Sequence, residues 1–455
     1  MDKILKTIFA IPTLLMCGIF THADAQTVAF NEIDGKHVIT VIPEKNTGLN
    51  AIYVAWETNG LTLEYAPSQS SVRPVLYRYS TLGGGYAEEF SGWEMSGGKV
   101  IIRNPIGDTG YIIEEGDKRY YFWLVDYSTH KPDIHSINIP DTSDCGYVTL
   151  NISASGNPIH YYTINGRRMT LNQEFYVQFN TLEWDEESTM YVPKNVSHPL
   201  ESLSSVVTLT PPPYCATHFT LSGDRFLREW GEEVSCESGY YQSVSVEVHT
   251  TAEQIFSDND HSNQIGSTDD TVLGGSAPAF IKFSAYTTDA VVHNEWQLSS
   301  DPEFENILYR FTEHDLEYEF RDEGNWYVRF IGSNSDGSCQ SEGDVYTVAI
   351  GASELVCPNA FSPGASEGVN DEWRVSYKSL LDFKCWIFDR YGTQIYYFDS
   401  PDGGWDGKYR GKYVKPGVYY YVIEATGAEG KKYKKSGDIN ILRFSRNGEN
   451  SQITE

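Results

Sequence analysis

Apolar residues in this chain come in short runs of alternating character, broken by clusters of Gly, Asn, Asp, Ser and Pro. Over no long stretch do they take the 3, 4 and 7 spacing of an amphipathic helix. That pattern restricts the fold to small sheets joined by turns. The final 42 residues of it, "GGWDGKYRGKYVKPGVYYYVIEATGAEGKKYKKSGDINILRF" (403–444), show it most clearly. A Pro-Gly turn (Pro416, Gly417) leads into the apolar run 418–423, a connection bounded by Gly427 and Gly430 follows, and the run 439–444 closes a hairpin. The 32 Tyr, 21 Phe and 10 Trp against 5 Met suit strands. A chain of 455 residues exceeds what one core organises, so the expectation is an all-β protein of tandem immunoglobulin-like β-sandwich domains.

Residues 1–25 are set apart from the fold. Lys3 and Lys6 precede an apolar stretch (8–20) that ends in Ala23-Asp24-Ala25, the pattern of a secretory signal peptide cut before Gln26. Cys17 suggests a lipoprotein alternative, but Met16 stands where a lipobox needs a small residue. Outside this stretch no run approaches the length of a membrane-spanning helix. Export places the six remaining cysteines, Cys145, Cys215, Cys236, Cys339, Cys357 and Cys385, in an oxidising compartment. They form no CxxC pair, which argues against zinc and for disulfides of unspecified connectivity. No metal or cofactor is expected.

The net charge of −29 is unevenly spread. Residues 357–455 hold 14 Lys plus Arg against 13 Asp plus Glu, so the excess negative charge lies ahead of them. Such a surface repels nucleic acid and anionic lipid and keeps an exported protein in solution.

Strand-like runs at 37–42, 51–56, 61–65 and 120–125 assign residues 26–139 to one immunoglobulin-like sandwich, in which the aromatic 110–123 segment fills the core rather than forming a carbohydrate platform. Runs at 148–152, 161–164, 175–179 and 206–210 assign 140–249 to a second sandwich, with Pro211-Pro212-Pro213 as a rigid turn or boundary. Residues 250–276 are polar and acidic and are expected to be a linker. In it Asp258, Asp260, Ser262 and Asp269 approach calcium-loop spacing, but Asn263 replaces the turn glycine and Asp269 the bidentate Glu. Residues 277–351 form the third sandwich. Its "YEFRDEGNWYVRFIGSNSDGSC" (318–339) resembles the closing strands of PKD domains, which are immunoglobulin-like extracellular spacers and binding modules.

Residues 354–444 carry the most specific motifs. They are Pro358-Asn359-Ala360-Phe361-Ser362-Pro363, Gly368-Val369-Asn370-Asp371, Ile387-Phe388-Asp389-Arg390-Tyr391-Gly392, Trp405-Asp406-Gly407 and Pro416-Gly417-Val418-Tyr419. In this order they resemble the C-terminal domain of gliding-motility-associated proteins of Bacteroidota, the type B sorting signal of the type IX secretion system. The resemblance implies a small β-sandwich sorting domain, passage across the outer membrane by the type IX machinery, a PorP/SprF-family outer-membrane partner, and a place at the cell surface or in the medium. Two departures stand out: 364–368 replaces an Asn-Gly-Asp-Gly loop, and a polar tail, 445–455, follows the last strand.

Within this domain Cys357 and Cys385 lie in strand-like segments that neighbouring strands would bring into disulfide reach. Lys431, Lys432, Lys434 and Lys435 around Tyr433 read first as a solvated hairpin and, as the alternative, as a surface for an acidic partner or surface glycan. In the preceding linker, Asp270-Thr271-Val272 resembles the Asp-Thr-aliphatic O-glycosylation motif, which makes Thr271 a modification candidate. Searches for HExxH, GxSxG, Cys-His and phosphate-loop patterns find nothing, and Asp371, Asp389 and Asp406 sit in turn contexts. The expected function is therefore structural or adhesive rather than enzymatic. The alternatives are a secreted glycan-binding protein or hydrolase with an unrecognised site, or a soluble periplasmic factor.

Overall fold

The computed structural model describes residues 27–68, 72–81, 87–140, 144–256, 263–266, 273–364 and 370–442. The signal peptide, Thr271, the calcium-like acidic residues 258–262 and 269, and the tail lie outside the described residues. Within them the regular structure is almost wholly strand, with one α-helix, Arg225–Glu229, and two single-turn 3-10 helices. No described helix is long and apolar enough to cross a membrane.

The first sandwich pairs a four-stranded sheet (Thr27–Phe30, Thr62–Ala66, Lys99–Arg103, Glu94–Ser96) with a six-stranded one built around Ala51–Ala55, Lys118–Asp126 and Thr109–Glu115. All five residues of Ala51–Ala55 are buried, as in a strand covered on both faces. Ala51, Tyr53 and Ala55 enter the core of their own module, with Tyr111 and Phe122. Ile52 and Val54, on the opposite face, join Trp123, Val125 and Tyr127 in a second core, which Tyr161, Leu171, Phe226 and Leu227 of the next module complete. The first two modules thus share a core. The aromatic 110–123 segment fills these cores, with Tyr111, Phe122 and Trp123 all buried.

Polar contacts seal the same joint. Tyr127 donates its hydroxyl to Asp224 (3.0 Å), and Trp230 donates its indole N–H to the His37 carbonyl (2.7 Å). His130 lies between Asp108 of the first module (2.9 Å) and the Asn157 carbonyl of the second (3.0 Å). Burial opposes charge on this imidazole, yet the Asp108 carboxylate, the Asn157 carbonyl and nearby Asp126 raise its pKa. A raised histidine pKa stabilises the folded joint fully below the unfolded value of about 6.5, and that contribution disappears as pH rises through the folded value. The joint is therefore expected to lose this contribution as pH rises above about 6.5 and through the folded value. Melting curves of the chain against pH check this: the native chain should lose stability over that window and His130→Gln should show a flatter profile, whereas equal slopes would contradict it.

The second sandwich begins earlier than the sequence suggests. Asp133–Asn138 pairs with Val148–Ser155, not with any strand of the first module, so the 139/140 boundary moves upstream. Its polar alternation, buried at Ile134 and Ile137 only, hides the change of partner. The Pro211-Pro212-Pro213 run lies inside this module, between Val206–Leu209 and Thr220–Gly223.

The 250–276 linker needs a larger correction. Val248–Ile255 is a full strand of the third sandwich, paired along its length with Ala279–Thr287, and Leu273–Gly275 runs parallel to Tyr346–Ile350. Its sequence VHTTAEQI looks like solvent-loving chain because only one face is covered: Val248 and Thr250 are buried while Thr251 and Glu253 face water. The third module therefore spans 248–350, around a core of Phe283, Trp296, Phe330 and Val348. Residues 263–266 from the same stretch join the last module instead, where Ile265 N–H donates to the Tyr377 carbonyl (2.7 Å) and the Asn263 side chain to the carbonyls of Val375 and Pro401.

A disulfide, Cys145–Cys339, ties the second module to the third across 194 residues of sequence. Cys215, Cys236, Cys357 and Cys385 are free thiols.

Candidate functional site

The motif-bearing domain is built on a five-stranded sheet in the order Ala360–Phe361, Lys432–Ile441, Gly417–Gly427, Leu380–Phe388, Gln394–Phe398. Two small hairpin-like pairs flank it: Glu354–Val356 with Ser376–Lys378, and Lys408–Tyr409 with Lys412–Tyr413. Strand alternation sends Phe383, Cys385, Ile387, Tyr421, Ile423 and Ile439 inward.

The motif residues divide into core, turn and surface. Phe361 and Trp405 are core, their ring centroids 5.5 Å apart, and Tyr419 meets Trp405 edge-on at 5.4 Å. Trp405 is fully buried, exchanges both backbone hydrogen bonds with Trp373 and donates its indole N–H to the Lys408 carbonyl (3.0 Å). Trp373 donates in turn to the Pro358 carbonyl (2.7 Å), and Asn359 receives Asn440 through its carbonyl. These contacts explain the Pro358-Asn359 and Trp405 blocks as fixings of the chain ends to the sheet. Gly407 has a φ of 74°, and a Cβ there would lie 2.8 Å from Pro363, so both motif residues belong to one tight approach.

The aspartates serve turns. Asp371 accepts from Gly364 N–H (3.1 Å), and Ser362 N–H donates to the Asn370 carbonyl (2.9 Å). Asp389 accepts from the N–H groups of Tyr391 (2.8 Å) and Thr393 (2.9 Å), and bonding to Thr393 foremost lowers its pKa. Asp406 holds Lys408 through both its backbone and its ammonium. Gly392, at φ 82°, completes the turn that leaves Arg390 stacked over exposed Tyr391 (4.9 Å). Pro416 and Gly417 stand exposed at the entry to their strand. Each of these three aspartates is thus taken up in a turn of its own. Among the described residues there is no cluster of His, Cys, Asp or Glu fit to hold a metal.

One expectation for this domain is corrected. Cys357 and Cys385 are not joined: both are free thiols, although Cys357 packs against the core that holds Cys385 and lies close enough to act on it electrostatically. Both thiols sit against the core, and burial raises the pKa of each. The lysines of the 431–435 cluster each make a local contact, and Lys434 stays largely exposed beside its partner. Lys431 lies over the buried Tyr433 ring (4.6 Å), Lys432 bonds Thr426, Lys434 pairs with Glu424, and Lys435 donates to the Leu355 carbonyl.

Sequence reasoning missed the outer face of the sheet. Register places Trp386 beside Tyr397 and Val422, and Phe388 beside Tyr420, all pointing away from the core. Val418, Tyr420, Val422 and Tyr397 are 43%, 46%, 39% and 40% exposed, a continuous apolar strip where a one-sided sheet ordinarily carries polar residues. The signal was present as the run VYYYV, whose odd and even members are both apolar.

Two family models match the chain: the CHU_C type IX secretion signal domain over residues 355–441, and the fibronectin type III domain over 137–238. No curated protein matches it. Solved structures of similar build include the three N-terminal domains of the highly immunogenic outer capsid protein Hoc of bacteriophage RB49 (11% identity, 68% of this chain and 100% of that one, TM-score 0.23). The FN1–FN3 domains of chicken CNTN1 give 12% identity over 64% of this chain and 93% of that one, with a TM-score of 0.18. A 1.5-MDa bacterial ice-binding adhesin gives 11% identity over 69% and 99%, with a TM-score of 0.20. Residues 355–441 are thus a type IX secretion signal domain, carried behind tandem β-sandwich modules of which the second is of the fibronectin type III kind.

Proposed function

We propose that this chain is a surface-delivered structural or adhesive protein, carried across the outer membrane by the type IX machinery through residues 355–441 and not itself an enzyme. The observation that supports delivery is a complete, independently cored domain at 355–441 whose motif residues fix its shape and leave an aromatic strip exposed. The strip, centred on Trp386, Tyr397 and Tyr420, is the surface the machinery grips, with a PorP/SprF-family outer-membrane protein as the expected partner. After export the protein is released or held at the surface. The acidic sandwiches, docked to one another through shared cores and a disulfide, act as the delivered part. Exposed side chains on a strip can change without unfolding the sheet beneath, which separates recognition from stability. The double variant Tyr397→Ser, Tyr420→Ser should melt within a few degrees of the native chain and yet reach the surface or medium poorly in cells with type IX machinery. Unchanged export of a folded double variant would refute the role given to the strip.

A further inference from the structure

The third sandwich is open along one side. Ile307–Phe311 is the last strand of one sheet and Asp315–Phe320 the last of the other, and between them lies a cavity of about 300 Å³. Tyr309, Tyr318 and Trp326 line it from three different strands, with Glu319, Arg321 and Asp322 at the rim. Tyr309 stands opposite the fully buried Leu298 and so points to the core side, yet it is 55% exposed because nothing closes the edge there. Such an accessible aromatic lining with charged residues at its edge has the make-up of a small-ligand site.

The ring geometry narrows the ligand. Tyr309 and Tyr318 have centroids 6.3 Å apart and planes 44° apart, too close for a ligand to lie between them, so they form one continuous apolar surface instead of a cage. A ligand that fits must lay one apolar face on that surface and present hydrogen-bonding groups at its edge. The rim supplies both partners: Arg321 donates to Glu319 (3.1 Å) and keeps further N–H groups, while Trp326, anchored to the Asp322 carbonyl (3.2 Å), holds the turn that carries the Asp322 carboxylate. Two carboxylates against one guanidinium, on a chain of net charge −29, disfavour an anionic ligand. We infer that this cleft binds a neutral saccharide, whose C–H face lies on Tyr309 and Tyr318 and whose hydroxyls meet Glu319, Arg321 and Asp322. The inference rests on the adhesive reading of the delivered modules and names their ligand class.

The test uses purified mature chain and is independent of export, so a failure of secretion leaves it untouched. Cellobiose, chitobiose, maltose and mannobiose are titrated by ligand-observed NMR, with the uronate disaccharide of pectin as the anionic probe. At least one neutral sugar should bind saturably. Tyr309→Ala should weaken it about tenfold or more and Asp322→Asn by several-fold, with melting temperatures unchanged. The uronate should bind less well than the neutral sugars. The assignment is overturned if no neutral probe saturates below about 10 mM, which corresponds to under 3 kcal/mol of binding free energy. Equal binding by Tyr309→Ala, preference for the uronate, or occupation of the cleft by an added peptide strand in place of sugar would overturn it as well.

Discussion

Trp405→Ala is expected to unfold the 355–441 domain and, with it, to stop export. The side chain is fully buried between Phe361 and Tyr419, and its indole N–H and backbone together tie the Lys408 and Trp373 segments to the sheet. Removing a buried Trp costs about 3–5 kcal/mol, comparable with the whole stability of a small domain. Trp405→Phe, which keeps most of the ring volume, should cost less and restore part of the export. Near-UV circular dichroism and denaturant melting of the isolated variant chains report the first effect, and cell fractionation the second. Trp405→Ala that melts like the native chain would show that the packing around Trp405 contributes little.

The second large effect is expected at the joint of the first two modules. Asp224 is fully buried, caps the helix Arg225–Glu229 by accepting from Leu227 N–H (3.0 Å), and accepts from Gln173 (3.1 Å) and from Tyr127 of the preceding module (3.0 Å). Burial raises the pKa of its carboxyl, and the three donors act against that rise. Asp224→Ala removes the cap and leaves a buried amide and a buried phenol without their acceptor, a combined loss of about 3 kcal/mol. For a unit of this size that corresponds to a fall in melting temperature of about 6–12 °C. Differential scanning calorimetry should show the fall confined to the transition of the first two modules. A shift under about 2 °C would mean that the joint does not depend on this carboxylate.

Strands covered on one or both faces by their own module were legible, because Ala51–Ala55, Lys118–Asp126 and Gly417–Gly427 carry their apolar residues in plain runs. Partner choice was not. Asp133–Asn138 has the alternation of any strand and could not say which sandwich it serves, and Val248–Ile255 hides behind its exposed polar face. The sharing of a core between modules was written into the sequence only as consecutive apolar residues, Ile52 and Val54 among them, that a single sandwich would not need. Cysteine pairing was out of reach for a different reason. Cys145 and Cys339 meet because two modules dock, a long-range event with no local trace, whereas Cys357 and Cys385 share one domain core and are nevertheless both free. The motif residues of the last domain were recognisable as a set, but most of them serve packing and turns, and the exposed strip is centred on Trp386, Tyr397 and Tyr420 outside the motifs, with Phe388 and Val418 at its margin.

Residues 355–441, as an export signal, should be separable from what they export. The third module closes its own core around Phe283, Trp296, Phe330 and Val348, and the last domain adds little more than Ala428 and Leu381 to it, so a chain ending at Ala352 should fold. The direct measurement is to express the full chain and this truncation in cells with type IX machinery and to quantify each in periplasm, on the surface and in the medium. The truncated protein should be protease-resistant and confined to the periplasm while the full chain leaves it. If the truncation reaches the surface or medium as efficiently as the full chain, residues 355–441 are one more structural module and the central claim is wrong.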